Sequence, residues 1–241
     1  GLPNAERLAN LGALVMKLSI ERSTLLKAVS QAQSVVERRN TIPILANVLI
    51  EAEGEQVQFR ATDLDIEVLD KAVAHVERVG ATTVSAVTLH DIVRKLPDGA
   101  LVTISDDAAK GRLTVEAARS VFSLATLPKE DFPIMASSEY TANFSAPAAM
   151  LRRLFDKSKF AISTEETRYY LNGVYLHVAD GESGQTLRCV ATDGHRLARI
   201  DAALPEGASD FPGVIVPRKT VGELRKLLDD DDMQIAVSVS D

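Results

Sequence analysis

Arg168-Tyr169-Tyr170-Leu171-Asn172-Gly173 and Ala191-Thr192-Asp193-Gly194-His195-Arg196-Leu197 are the stretches whose reading decides the fold. Between them, residues 174–178 and 187–191 read as β-strands, joined by the turn Gly181-Glu182-Ser183-Gly184. The two polar stretches therefore stand at the start and the end of one antiparallel hairpin. Together they gather cations, aromatic rings and glycines, which a plain core hairpin does not need.

Outward from the hairpin the sequence repeats itself. Met150, Leu151 and Leu154 repeat Leu25, Leu26 and Val29 at a spacing of 125, and residues 170–178 repeat 44–52 at 126. Ala191-Thr192-Asp193 repeats Ala61-Thr62-Asp63 at 130, and Thr220-x-x-Glu223 repeats Thr88-x-x-Asp91 at 132. The shared order of helix, strands, helix, strands predicts two copies of one α+β domain. Helices are expected at 21–39, 88–97, 147–160 and 217–228. The first carries the apolar stripe Leu25, Leu26, Val29, Ala32 and Val36, with Ser23 as its cap and Pro43 beyond its end. The second starts at the capping-box-like Thr88-x-x-Asp91, buries Leu89, Ile92, Val93 and Leu96, and stops at Pro97-Asp98-Gly99. Strands are expected at 48–52, 56–61, 66–73, 101–105, 113–117 and 121–125, and 127–146 reads as an extended linker. In the second copy, 234–240 matches 101–105, but no counterpart of the next two strands follows. The expectation is a fragment of something longer, with an unpaired strand edge.

The 241 residues are 46% apolar, enough for two cores. The single cysteine, Cys189, permits no intrachain disulfide and fits a reducing cytoplasm. No run approaches the roughly 20 apolar residues of a membrane span. Residues 1–15 make a poor signal peptide and read as leader residues ahead of a native start at Met16. The four helical segments carry +2, +1, +3 and +3, against −7 for the whole chain, which leaves −16 for everything else. Basic helices among acidic strands and loops suggest a segregated field.

Catalysis finds little support. There is no HExxH, no CxxC and no P-loop. His75, His90 and His177 are scattered, Cys189 reads as a small core residue, and Asp193-Gly194 reads as a turn. No metal and no cofactor are expected. Non-catalytic DNA binding makes better use of the residues, because phosphate contacts supply affinity without reading bases. Arg152, Arg153, Lys157 and Lys159 share the wet side of the third helix, and Arg218, Lys219, Arg225 and Lys226 that of the fourth. Tyr169 and Tyr170 beside Arg168 either stack unpaired bases or pack as ordinary residues at a strand start. Two rival readings remain: a peptide-binding scaffold whose helices never meet DNA, and a hydrolase built on Asp193 and His195.

Several long motifs stand in order from about Met16 to the last residue: RYYLNG, VATDGHRLA, Ile215-Val216-Pro217-Arg218-Lys219, Ile42-Pro43-Ile44-Leu45, Ala61-Thr62-Asp63, and Thr126-Leu127-Pro128 with Asp131-Phe132-Pro133. Together they resemble the β subunit of bacterial DNA polymerase III, the sliding-clamp family. The resemblance implies a DNA-clamp fold, each domain having two helices packed on antiparallel sheets. Domain I would span 16–135 and domain II 140–241, with a third such domain absent. It implies a homodimeric processivity ring around double-stranded DNA, helices lining the hole. DNA contacts would fall on Arg39, Tyr169, Tyr170 and Lys219; Glu165 departs from the family's frequent glutamine and is dropped. Leu171, Thr192, Gly194, His195, Arg196 and Leu197 would form half of a groove. That groove takes short linear peptides from the polymerase III catalytic subunit, the clamp loader, other polymerases and repair proteins. Phe122 and Leu124 would lie on the subunit interface. With half a groove and no third domain, this chain is expected to bind such peptides weakly or not at all, and to close no ring.

Overall fold

The structure is a computed structural model that describes residues 14–37, 41–136 and 139–240. It divides into two compact units, Gly1–Met135 and Ala136–Asp241. In the first unit β1 (Leu14–Glu21) runs straight into α1 (Arg22–Val35), followed by β2 (Asn47–Glu53), β3 (Gln56–Thr62), β4 (Glu67–Val73), β5 (His75–Arg78) and β6 (Gly80–Ser85). Then come α2 (Ala86–Val93), β7 (Leu101–Asp107), β8 (Arg112–Ala117) and β9 (Ser120–Leu127). The nine strands form one sheet in the order β4-β3-β2-β6-β9-β8-β7-β1-β5, every neighbouring pair antiparallel.

Period-two alternation builds the sheet's inner face: Met16, Leu18 and Ile20 on β1, Val102 and Ile104 on β7, and Leu113 and Val115 on β8 are all buried. Against them α1 buries Leu25, Ala28, Val29, Ala32 and Val35, and α2 buries Ala86, Leu89 and Val93. Ile44, Leu45, Leu49 and Phe132 make a smaller satellite core.

The second unit contains β10 (Ala142–Pro147), α3 (Ala148–Asp156), β11 (Gly173–Gly181), β12 (Gly184–Thr192), β13 (Leu197–Ala203), β14 (Val214–Pro217), α4 (Arg218–Leu227) and β15 (Gln234–Val239). Its strands form two sheets, β13-β12-β11-β14 and β10-β15. The same plan is visible in both units. In the first, β9 and β8 stand between β6 and β7; among the described residues of the second, nothing joins their counterparts β14 and β15, and the sheet divides there. The expected hairpin is β11–β12, with Gly181 opposite Gly184 across a two-residue turn.

Several local expectations change. One helix is expected over residues 21–39, but α1 ends at Val35; Arg39 lies outside the described residues. Ser23 does not cap α1, whose N-cap is Glu21 at the end of β1, with no side-chain hydrogen bond. The cap of α2 is Ser85, whose hydroxyl accepts from the Thr88 amide at 3.3 Å, so the helix starts two residues before the expected capping box. The stretch that reads as a linker contains the short 3-10 turn Lys129–Asp131 and β10. The repeat also shifts by one at the first helix. Burial pairs Leu25 with Leu151, Ala28 with Leu154 and Val29 with Phe155, a spacing of 126 that continues unbroken into β2 and β11.

Gly173 begins β11 where it pairs with Pro217 of β14. A Cβ there would run into the Val216 carbonyl oxygen and approach the Ile215 side chain at 2.9 Å. Backbone cannot yield as a side-chain tip can, so Gly173→Ala should destabilise the second unit by about 1–3 kcal/mol. A lower thermal midpoint, with weakened amide protection on β11 and β14, is the expected readout; an unchanged midpoint would show that the strands can part.

Candidate functional site

The two units use one turn twice. In the first, Thr62 Oγ1 donates to the Ile66 carbonyl (2.8 Å) and accepts from the Leu64 amide (3.0 Å), while Asp63 Oδ1 accepts from the Asp65 and Ile66 amides at 2.9 and 2.7 Å. In the second, Thr192 Oγ1 donates to the Arg196 carbonyl (2.7 Å) and accepts from the Gly194 amide (3.1 Å), and Asp193 Oδ1 accepts from the His195 and Arg196 amides, both at 3.0 Å. The left-handed position is Leu64 (φ 81°) in one and Gly194 (φ 89°) in the other. The Thr-Asp pair is thus a backbone-satisfying device. The amides of His195 and Arg196, and then the Arg196 guanidinium, hold the Asp193 carboxyl below the ordinary carboxylate range. Both carboxyl oxygens are thus taken up by the loop's own amides and by Arg196.

A second element is also used twice. The 3-10 turn Pro43–Ala46 precedes β2, and Tyr169–Leu171 precedes β11. In the first unit it plugs Ile44 and Leu45 into the satellite core. In the second it presents Tyr169, 79% exposed, and Tyr170, 56% exposed, as an edge-to-face pair with centroids 5.6 Å apart. The tyrosines therefore do not pack as strand-start residues. Backbone bonds fix the turn: Ser163 N donates to Leu171 O (3.0 Å) and Arg218 N to Asn172 O (2.8 Å).

The two loops meet in the second unit. Arg168 Nη1 lies 3.1 Å from where a Cβ on Gly194 would stand, and Arg196 lies over the Phe160 ring, 5.7 Å from its centroid. Around them Leu171 is half-buried, and Leu197, which replaces the first unit's ion-paired Glu67, is 65% exposed. Thr192, Gly194, His195 and Arg196 form one patch with Leu197 around the turn between β12 and β13; Leu171 lies on the 3-10 turn three residues after Arg168. Phe160 and Arg168 belong to the patch as well. Phe160 is hidden in the sequence at the end of a basic helix, where a lone aromatic is no signal.

The cations on α3 and α4 are less uniform than their spacing suggests. Arg153, whose Nη1 donates to the Asp201 carbonyl at 3.4 Å, and Lys157, the residue after α3, are exposed. Arg152 is turned inward: Nη1 donates to the Leu228 carbonyl (2.9 Å), and the guanidinium pairs with Asp231. Arg22 does the same work in the first unit, donating to the Val93 and Arg94 carbonyls at 3.2 and 2.9 Å. Each closes the carbonyl end of its neighbouring helix, so Arg152 is not the free phosphate ligand that its place on the helix implies. Arg225 pairs with Asp156 at 2.7 Å, and exposed Arg218 donates to the Ile162 carbonyl at 3.0 Å. Lys219 is half-buried on the first turn of α4.

Leu124 requires a further correction: it is 6% exposed and part of the first unit's core, because it faces inward opposite Leu113. Val121 and Phe122, near the start of β9, are the large apolar residues that strand exposes. Among the described residues no group of three His, Cys, Asp or Glu is placed to hold a metal ion, and no helix is long and apolar enough to cross a membrane.

Two α+β modules built on one plan, each with the same pair of loops but with different side chains on them, define a duplicated scaffold. Residues 16–136 match the DNA polymerase III beta subunit, N-terminal domain, and residues 146–241 match its central domain. The chain belongs to the DNA polymerase III β-subunit family, the β sliding clamps. It is 53% identical over 226 residues to a beta sliding clamp of Caulobacter vibrioides, covering 93% of this chain and 60% of that protein. It is 43% identical to one of Pseudomonas aeruginosa, covering 92% and 59%. A crystal structure of the Caulobacter crescentus clamp superposes with a TM-score of 0.91 at 52% identity, covering 93% of this chain and 60% of that one. A Bartonella birtlesii clamp bound to griselimycin superposes at 0.89 with 47% identity and the same coverage. The chain spans about 60% of the length of these relatives.

Because Asp193 is held ionised by its own loop, its support is complete above the ordinary carboxylate pKa of roughly 3.9 and is lost as pH falls through its depressed value. Asp193→Ala should speed amide exchange at His195 and Arg196 at neutral pH while leaving the core amides of β11 and β12 protected. Unchanged exchange at both would mean that Thr192 alone suffices.

Proposed function

We propose that this chain acts as part of a DNA polymerase processivity clamp, a tether and docking platform that catalyses no reaction. The observation that carries the reading is the divergence of the duplicated loops: ring-presenting and apolar in the second unit, plugged and ion-paired in the first. Family membership supplies the clamp context. Residues 16–135 and 140–241 serve as clamp domains I and II. Closure of a ring as a homodimer belongs to the complete, longer protein, as does its setting in the cytoplasm.

DNA is held through phosphates rather than read. Arg153, Lys157, Arg218 and Lys219 supply positive charge, and Tyr169 and Tyr170 offer faces for unpaired bases at a junction. Arg39 joins them by resemblance. Such contacts are weak, interchangeable and screened by salt, which suits a protein that must slide. Anisotropy titrations on duplexes of unrelated sequence should give equal affinities that fall with rising salt. The double variant Arg153→Glu/Lys157→Glu should bind more weakly, with the log–log salt slope reduced by about one for each phosphate no longer neutralised. Affinity indifferent to salt, or dependent on sequence, would refute this.

The docking half of the proposal rests on Leu171 and Leu197 as an apolar floor, with Gly194 allowing close approach of an extended peptide. Partners are short linear peptides from the polymerase III catalytic subunit, the clamp loader, other polymerases and repair proteins. Millimolar peptide from the polymerase catalytic subunit should shift the amide resonances of Leu171, Thr192 and Leu197, and Leu197→Asp should abolish those shifts. Shifts confined to other surfaces, or surviving in Leu197→Asp, would remove the groove from this patch.

A further inference from the structure

A cavity of about 390 Å³ opens at one end of the first unit, far in sequence from the loops described above. It exists because β6 outruns its neighbour. β6 pairs with β9 only at Thr83–Leu127 and Val84–Thr126; beyond Leu127 the chain turns away at Pro128 into the 3-10 turn Lys129–Asp131. Gly80, Ala81 and Thr82 therefore line one wall, Leu127 and Pro128 a second, and the β7–β8 turn near Gly111 a third.

Of the three charged residues that line this space, Asp106, Lys129 and Glu130, only Asp106 is buried. Asp106 continues the inward series Val102, Ile104 on β7, is 3% exposed and lines the cavity. Its Oδ1 has no hydrogen-bond partner. The neighbouring charges are engaged elsewhere or stand at the rim: Asp107 pairs with Lys110 at 3.1 Å, Arg112 donates to Ser123, and Lys129 and Glu130 are exposed. A buried carboxylate oxygen with no hydrogen-bond partner is costly. Where such a group also faces a cavity of ligand size, a counter-charge arriving with the ligand removes that cost through a charge-assisted hydrogen bond.

We propose that this cavity is a binding site for a small organic monocation, an ammonium head seated on the Asp106 carboxylate with an apolar body of a few carbons against Ala81, Leu127 and Pro128. An anion would meet the carboxylate, and a neutral alcohol would leave its charge uncompensated.

The test is an NMR titration of this chain with n-butylammonium, with n-butanol and n-butyrate as probes of matched body. Butylammonium should shift the amides of Ala81, Thr82 and Gly111 saturably, at least tenfold more tightly than either control. Asp106→Asn should reduce that affinity at least tenfold while retaining cooperative melting. Ala108→Phe, an exposed rim substitution that leaves the carboxyl in place, should block entry and guards against misfolding of the first variant. Burial, reinforced by Asp107, raises the Asp106 pKa, so affinity should climb with pH as the carboxyl ionises. Equal affinity for butanol, undiminished binding by Asp106→Asn, or no saturable shifts because water fills the space, would each overturn the assignment.

Discussion

The candidate site depends on a backbone turn closed by a threonine hydroxyl and an aspartate carboxylate. In Thr192-Asp193-Gly194-His195-Arg196 the two side chains accept from three amides, and the hydroxyl returns a bond to the last carbonyl. The loop's backbone groups are therefore satisfied from within, and among its outward side chains only Arg196 adds a bond to the closure. The first unit proves the point, because the same closure at Thr62-Asp63 carries Leu64, Asp65 and Ile66 instead. Holding the backbone this way leaves the side chains of His195 and Leu197 exposed, while Arg196 pairs with Asp193.

Duplication turns the first unit into an internal control. Where both units use a position the same way, as with the helix stripes and the Thr-Asp pair, the position serves the fold. Where they part, the second unit turns rings and apolar groups outward: Tyr169 and Tyr170 stand where Pro43 and Ile44 stand, and Leu197 where Glu67 pairs with Arg60. Exposing such groups costs solvation without helping the core, so a use outside the folded unit is the simplest account.

Much of this is legible in the sequence because periodicity and repetition are local signals. The α1 stripe, the β11–β12 hairpin and the copied Thr-Asp pair all show as spacing. What the sequence hides depends on partners distant in the chain. β10 lies among prolines, and its pairing with β15 joins residues nearly a hundred positions apart. Thr88 and Ser85 have equal title to the cap of α2; only the path of β6 decides for Ser85. Leu124 falls in the core rather than on an open face because strand parity does not say how far the core extends along β9.

The arginines show why charge read from spacing overstates a binding surface. Four cations are expected along one helix over 147–160, but α3 ends at Asp156 and holds only Arg152 and Arg153; Lys157 follows it and Lys159 opens a 3-10 turn, and a side chain six bonds long can return to its own unit. Arg152 reaches the carbonyl end of α4, and Arg225 reaches back to Asp156 on α3. Both interactions cross between helices and tie the pair together, a task invisible in the count of basic residues. The positive charge left to a polyanion is thus smaller than the formal +3 of each segment, and it is concentrated on residues such as Arg153 and Lys157 that point away from these ties. Under the proposed clamp function, few and separated cations attract a phosphate backbone without fixing its register.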